Sequence, residues 1–596
     1  MTSSDDAQAA ADAAARAAAE AQAAAEAAQK KADDLAALAA EAAAAPAGTP
    51  ASDPVASSEM ADIVRAGYAF EGAAIEMGAL LDGTPPDLVP VPSAPVRIPL
   101  AMLNRHGLVA GATGTGKTKT LQVLAEQIAA HGVPVFAADI KGDLSGIATA
   151  GTADDKLLAR TSSIGQDWQA RATPTEYFAL GGVGTGVPVR ATIDDFGPVL
   201  LSKVLGLNAT QESSLGLVFH YARQAELPLI DLGDLRAVLT HLTSDTGKAE
   251  LKALGGLSSA TVGVILRELI GFSDEGADTF FGQPEIVVSD FLRTAPDGSG
   301  IVSLLEVPGV QDKPAVFSTF LMWLLADLFN DLPEVGDIDK PKLVFFFDEA
   351  HLLFNGASKD FIDSITQTIR LIRSKGVGIF FVTQTPKDVP SDVLAQIGSR
   401  VQHQLRAHTP DDAKALKATV STYPTSGYDL KEVLTTLATG EAIITVMNEK
   451  GAPSPVAWTR LRAPEGSMSP TPAADMQATV DASPLSGTYG TVVDRDSARE
   501  ILAVKMNAAA ERDARAEADK AAAAKAKEAA KVQADYDRAV RDMQRASKPQ
   551  AKPRTSSRTT ATRREDNPVG DFFGSRGGQT VVREVLRGIF STLKRK

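Results

Sequence analysis

The chain has 596 residues, no cysteine and a formal net charge of −14. That length exceeds what one core organises and predicts two or three folded units with tails. The lack of thiols excludes disulfides and thiolate metal sites and fits a reducing cytoplasm. The acidic balance argues against broad coating of nucleic acid but leaves room for a local basic channel.

The opening, MTSSDDAQAA, has no charged-then-apolar leader, so secretion is not expected. Residues 1–45 contain 25 alanines with scattered charges. Alanine favours helix, but there is little to bury, so 1–58 reads as an Ala-rich helical or disordered extension and linker. Residues 59–465 carry an α/β pattern. Apolar strands are expected at 105–111, 133–140, 300–307, 342–349, 376–384 and 400–406, with helices between most of them, the first over 115–131. Near-continuous apolar strands alternating with helices imply a mostly parallel sheet covered on both faces. Residues 195–272 break the alternation and read as a helical insertion. The most apolar run, 315–329, has 15 residues and includes Asp327, so it is too short for a membrane span and reads as a buried helix. Residues 439–462 read as a closing β-hairpin.

Beyond the hairpin, 466–497 reads as a linker. Residues 498–546 form a charged Ala-rich helix, suited to coiled-coil pairing but lacking sustained apolar heptads. Residues 547–566 read as a disordered basic linker, and 567–596 regain apolar periodicity as a C-terminal docking helix. Residues 541–596 hold 14 Lys/Arg against 5 Asp/Glu. That tail is either a solvated terminus or a contact for nucleic acid or a protein partner.

Two motifs carry chemistry. GATGTGKT, comprising Gly111, Ala112, Thr113, Gly114, Thr115, Gly116, Lys117 and Thr118, fits the phosphate-binding P-loop at every fixed position. The glycines let backbone N–H groups turn inward at phosphate oxygens, and the helix N-terminus adds its positive end. Lys117 is expected to reach the β- and γ-phosphates of ATP, and Thr118 to ligate Mg²⁺. LVFFFDEA supplies the partner carboxylates at a strand's C-terminal end. Asp348 would hold Mg²⁺ through water, and Glu349 would act as general base. The letters Asp348-Glu349-Ala350-His351 also spell the box of a large RNA-helicase group. Lys117 and Asp348 are 231 positions apart, however (348 − 117), more than twice the gap in those helicases, and neither a Ser-Ala-Thr nor a QxxGRxGR motif follows the box. His351 therefore reads as incidental.

The segments LNRHGLVAGATGTGKTKTLQVLAEQIAAHGVPVFAADIKGDLSG, LNATQESSLGLVF, FFFDEAHLLF, RLIRSKGVGIFFVTQTP and NPVGDFFGSRGGQTVVREVLRGIF together resemble the HerA-like ATPases of the HerA–FtsK superfamily. The resemblance covers roughly 60–465 and the last 30 residues. It implies a RecA-like P-loop NTPase fold, ATP and Mg²⁺ as cofactors, and a homo-oligomeric ring, with six subunits favoured, that moves double-stranded DNA. The alternative is an ATP-dependent switch acting on protein partners. Gln384 resembles the sensor glutamine that reads the γ-phosphate, and Arg373 falls where relatives place an arginine finger for a neighbour's nucleotide. Arg370, Lys375, Arg400 and Arg406 remain alternatives for that finger. Asp139 is open between support of Mg²⁺ or water, with Lys141 and Asp143 nearby, and structural capping. The β-barrel that precedes the motor in HerA itself has no counterpart in the pattern before the P-loop.

Overall fold

The computed structural model describes residues 58–251, 255–307, 314–336, 338–354 and 359–546. The Ala-rich extension before 58, the basic linker 547–566 and the expected docking helix 567–596 lie outside the described residues. The chain divides into two compact units between Met506 and Asn507.

Apolar runs without a polar face cannot sit at a surface, and in the first unit they form the middle of one sheet. β1 (Ala74–Asp82), β2 (Val89–Pro99), β3 (Gly107–Ala110), β4 (Val135–Asp139), β5 (Thr175–Leu180) and β6 (Val187–Val189) precede the helical insertion. β7 (Val302–Glu306), β8 (Leu343–Phe347), β9 (Val377–Thr383), β10 (Ser399–Gln402), β11 (Glu441–Val446) and β12 (Ala457–Leu461) follow it. The strand order is β2-β1-β12-β11-β10-β3-β9-β8-β4-β7-β5-β6. From β10 to β6 every pairing is parallel, and from β2 to β10 every pairing is antiparallel. Every residue of β3, β4, β7, β8 and β9 is buried, as a parallel sheet covered on both faces requires. Aromatic packing fills the layer above it: the Phe136 ring lies 5.0 Å from Phe345 and 5.1 Å from Phe291. The apolar run 315–329 falls in the helix Pro314–Asp331, and among the described residues no helix is long and apolar enough to cross a membrane.

The residues 195–272 fold as helices, Ile193–Val204, Ala209–Gln224, Leu232–Thr243, Asp245–Leu251 and Ser259–Asp274. Asn208 with Gln211, and Asp231 with Asp234, close reciprocal caps that satisfy the first backbone N–H groups of two of them. Trp323 Nε1 donates to Asp195 Oδ2 at 2.7 Å and ties this helical block to the helix Pro314–Asp331.

Several elements differ from expectation. β1 and β2 extend the sheet on its antiparallel side where no strand is legible in the sequence. The four prolines within β2 conceal it, yet it is the outermost strand, the one place where missing N–H donors cost no ladder bond. β5 and β6 are also unannounced, being short and separated by the glycine-rich turn 181–186. Residues 466–497, expected to be a linker, carry the helices Ala473–Ala482 and Pro484–Tyr489, with Met476, Val480, Leu485 and Tyr489 buried. Tyr489 OH donates to Asp290 Oδ2 at 2.7 Å and its carbonyl accepts from Arg190 at 3.0 Å, so this segment belongs to the core of the first unit. The helix Ala498–Ala546 starts in that unit, with Ala498 and Leu502 buried. Its side chains from Asn507 onward, in the second unit, are almost all exposed.

Truncating a buried aromatic side chain typically costs about 3–5 kcal/mol. Tyr489→Ala is therefore expected to lower stability by roughly that amount, read as a shift of the urea midpoint followed by circular dichroism. A loss below about 1 kcal/mol would mean that 466–497 is a dispensable linker after all.

Candidate active site

Parallel strands β3, β9 and β8 present their C-terminal ends on one edge of the sheet. The P-loop leaves β3 and enters the helix Lys117–Ala130, whose cap Gly116 has φ 108°. Gly114 also lies in left-handed space, at φ 84°, where an L side chain would be strained. Gly111 is needed for a different reason: a Cβ there would lie 2.4 Å from His403 Cβ. The loop is held from below by backbone bonds, Gly111 N to Thr383 O at 3.1 Å and Ala112 N to Gln404 O at 2.8 Å. Thr115 Oγ1 donates to Ala112 O at 2.8 Å, closing the loop on itself. Lys117 is buried, and its Nζ donates to Gly111 O at 2.7 Å and Ala112 O at 3.2 Å. Burial holds its pKa below the usual lysine range, opposed in part by the Glu349 charge.

Asp348 and Glu349 follow β8 directly. Ala350 N donates to Val382 O at 2.9 Å, which pins this turn to the end of β9. Glu349 is a non-glycine residue at φ 47°, the kind of strained conformation that clusters at functional sites. Asp348 Oδ1 accepts from Glu349 N at 2.9 Å. Burial, and then the Glu349 charge, push the Asp348 pKa up to about 7. For Glu349 burial acts upward too, but the Lys141 hydrogen bond and charge, aided by His351 and Lys117, outweigh it and hold the carboxyl below its ordinary range. Lys141 pairs with Glu349 Oε1. Glu349 Oε2 makes no well-formed hydrogen bond; His351 Nδ1 lies 3.3 Å from it. His351, incidental by sequence, therefore sits beside the carboxylate.

Thr118 Oγ1 donates to Asp143 Oδ2 at 3.2 Å, leaving the buried Asp143 Oδ1 without a hydrogen bond. Asp139 resolves to the capping role: its two oxygens accept from Gly142 N and Leu144 N, each at 2.8 Å, and shape the turn after β4. Asp143, named by sequence only as a neighbour of Asp139, is the residue that meets Thr118. One further group, His403, escaped the sequence reading and has no signal there. It is buried under the P-loop with Nε2 2.9 Å from Thr120 Oγ1, and burial followed by the Lys117 charge lowers its pKa to about 4, which keeps it neutral.

The residues fit a magnesium–nucleotide. The donor set is hard oxygen, Thr118 with Asp348 and Asp143, alongside a glycine cradle and a buried lysine. Among the described residues no group of three or more His, Cys, Asp or Glu could hold a metal ion, which suits an ion completed by phosphate oxygens and water. A divalent cation beside Asp348 would favour its charged form despite burial.

Gln384 directly follows β9, exposed, and lines a cleft of about 190 Å³ with Ala112, Thr113 and Arg406. Arg373 lies at the other end of β9, in the short turn Arg373–Lys375 before Val377. A seven-residue strand spans roughly 23 Å, so the sheet does not bring Arg373 to this P-loop. Of the alternative cations, Lys375 donates to Leu332 O at 2.7 Å and Arg400 to Thr422 Oγ1 at 2.7 Å, while Arg406 donates to Thr113 O of this same P-loop at 3.2 Å.

The strand order β10-β3-β9-β8-β4, with the glycine cradle after β3 and the acidic pair after β8, defines a RecA-like P-loop NTPase fold. The family described as "Helicase HerA-like C-terminal" matches residues 88–596, and the chain belongs to that family, making it an NTPase of the HerA-like kind. A protein of Methanocaldococcus jannaschii described as "Probable helicase" is 23% identical over 362 residues, 58% of this chain and 64% of that protein, so the match spans under two thirds of that relative. Among solved structures, the unbound bacterial conjugative coupling protein TrwB (deltaN70) is similar at 16% identity and TM-score 0.44, covering 68% of this chain and 98% of that one. VirB4 of Thermoanaerobacter pseudethanolicus is similar at 14% identity and TM-score 0.40, covering 66% and 97%.

Lys117→Ala removes the one buried cation of the cradle and should abolish nucleotide binding in a calorimetric titration with Mg-ATP, with the circular dichroism unchanged. Glu349→Gln should behave differently: binding persists while turnover falls by orders of magnitude. Parental turnover in Lys117→Ala, or loss of binding in Glu349→Gln, would place the chemistry elsewhere.

Proposed function

We propose that the chain is a Mg²⁺-dependent ATPase that assembles as a cytoplasmic homo-oligomeric ring, with six subunits favoured, and translocates or remodels double-stranded DNA. The observation that carries this reading is the approach of the P-loop and the Asp348–Glu349 turn to each other across the end of β9. Lys117 binds the β- and γ-phosphates. Thr118 and Asp348 hold the ion, with Asp143 orienting the Thr118 hydroxyl. Glu349 orients the attacking water and takes its proton. Gln384 reads the γ-phosphate through its amide. Mg²⁺, when bound, supplies neutralisation of phosphate charge. Family membership supports the motor reading. A second reading, a nucleotide switch acting on protein partners, draws support from the long exposed charged helix that begins the second unit.

A nucleic-acid panel separates the two readings. Double-stranded DNA should raise the ATPase rate at low salt, and the stimulation should fall as salt releases its counterion advantage. Indifference to every nucleic acid would favour the protein switch, and stronger stimulation by single strands or RNA would favour a helicase.

Arg373 emerges at the edge of the sheet opposite the cradle, so we assign it to a neighbouring subunit's nucleotide. A finger supplied in trans is worth roughly 10³-fold or more in rate. Arg373→Ala and Lys117→Ala should each be inactive alone, and mixed rings should regain part of the activity where a sound cradle meets a sound finger. Full activity of a strict monomer, or no recovery in rings shown by native mass spectrometry to be mixed, would rule the arrangement out.

A further inference from the structure

Lys141 stands in the turn after β4, and the P-loop chemistry described above gives it no task. Its backbone is fixed. Asp139 accepts from Gly142 N and Leu144 N, both just past Lys141, and Gly142 holds φ 72°. Its side chain, by contrast, is 44% exposed and can reorient at little desolvation cost. The ammonium pairs with Glu349 Oε1, on a side chain only 8% exposed. Glu349 Oε2 faces His351 Nδ1. Both oxygens of the proposed base thus lie against nitrogen groups. A carboxylate held by an ammonium is a poor acceptor for a second proton, because charge pairing stabilises its ionised form.

The same small volume holds the phosphate-binding group. The turn that carries Lys141 touches the P-loop helix directly: Thr118 Oγ1 donates to Asp143 Oδ2 at 3.2 Å, two residues past Lys141. Lys141 therefore stands near enough to the cradle to choose between two acceptors, the Glu349 carboxylate and the terminal phosphate of a nucleotide in the P-loop. A γ-phosphate offers more negative charge and more acceptor oxygens than a carboxylate, and a compact ammonium with three rotatable donors suits it. A diphosphate places no such group there.

We propose that Lys141 is a γ-phosphate-sensing positioning residue: it holds Glu349 through their ion pair and transfers to the terminal phosphate of a bound nucleoside triphosphate, which frees Glu349 to engage the attacking water. The inference rests on the reading of the P-loop as a triphosphate site and of Glu349 as the base. No bond is made or broken in the exchange; one ion pair replaces another. Lys141 thereby makes base release conditional on a triphosphate, and distinguishes it from a diphosphate.

A double-mutant cycle on affinity tests this in the full-length protein. Calorimetry measures Mg-ADP and a non-hydrolysable β,γ-imido ATP analogue on the parent, Lys141→Met, Glu349→Gln and the double variant. Lys141→Met should weaken the analogue about tenfold or more while leaving ADP unchanged, the size of a lost charge-assisted hydrogen bond. Glu349→Gln should tighten the analogue, because Lys141 no longer has a competing carboxylate, and the gain should vanish in the double variant. Lys141→Arg, which keeps the charge, should recover part of the discrimination, and it serves as the readout if the methionine variant proves unstable by thermal denaturation. Equal changes for ADP and analogue in Lys141→Met, no preference for the triphosphate in Lys141→Arg, or a Glu349→Gln gain that survives removal of Lys141, would overturn the proposal. Hydrolysis at the parental rate by Glu349→Gln would sink the general-base reading instead, and the affinity cycle distinguishes that failure from this one because it involves no turnover.

Discussion

Two adjacent carbonyls at the end of β9 hold the site together. Val382 O accepts from Ala350 N, one residue past Glu349, and Thr383 O accepts from Gly111 N, the first glycine of the P-loop. These bonds continue the parallel ladders of β9 with β8 and β3, so the strand between the cradle and the acids is also the spacer that sets their separation. Backbone bonds in a buried parallel sheet leave little freedom, since each carries a large penalty if left unmade. The position of Glu349 is therefore backbone-determined, and its φ of 47° is a local strain that the flanking ladder overrides.

Charge is managed around that scaffold by burial as much as by pairing. Asp348, Asp139 and Glu306 all have pKa values pushed up, to about 7, 6 and 8, by desolvation first. Glu349 beside them moves down, because the Lys141 hydrogen bond and charge, with His351 and Lys117, outweigh its burial. Neutral His403 supports the loop without adding a competing cation beside Lys117. The outcome is one carboxyl group held charged beside others whose ionisation burial resists. That pattern suits a cavity whose partners arrive as magnesium and phosphate, since each would find its counter-charge close at hand without several uncompensated charges being buried together.

Much of this was legible from sequence because contiguous residues do contiguous jobs. GATGTGKT must be one unbroken stretch to turn a backbone around phosphate, and LVFFFDE must be a strand that ends in acids. What remained hidden depends on distance or on composition that disguises structure. His403 lies 292 positions from Gly111 (403 − 111) and meets it only because β10 pairs with β3. The pairing of Lys141 with Glu349 is equally non-local, across β4 and β8. β2 was masked by prolines that its edge position tolerates. Residues 466–497 looked like a linker because Pro, Ser, Gly and Thr separate their few apolar side chains, and only the tertiary fold shows that Met476, Val480, Leu485 and Tyr489 have a core to enter.

β9 also separates two functions in space. Gln384 stands at one end beside the cradle, and Arg373 at the other, past the helix Lys359–Ile372. Arg406, by contrast, is tied to the P-loop carbonyl of its own chain and so suits a role in cis. A molecule with a nucleotide cradle on one edge and a phosphate-complementary guanidinium on the opposite edge is not self-complementary. Head-to-tail contact sets a cradle against an arginine at every junction, and such heterologous contacts close into rings when the rotation between subunits permits. The directionality of one parallel strand thus supports the proposed ring by placing Gln384 and Arg373 at opposite ends of β9.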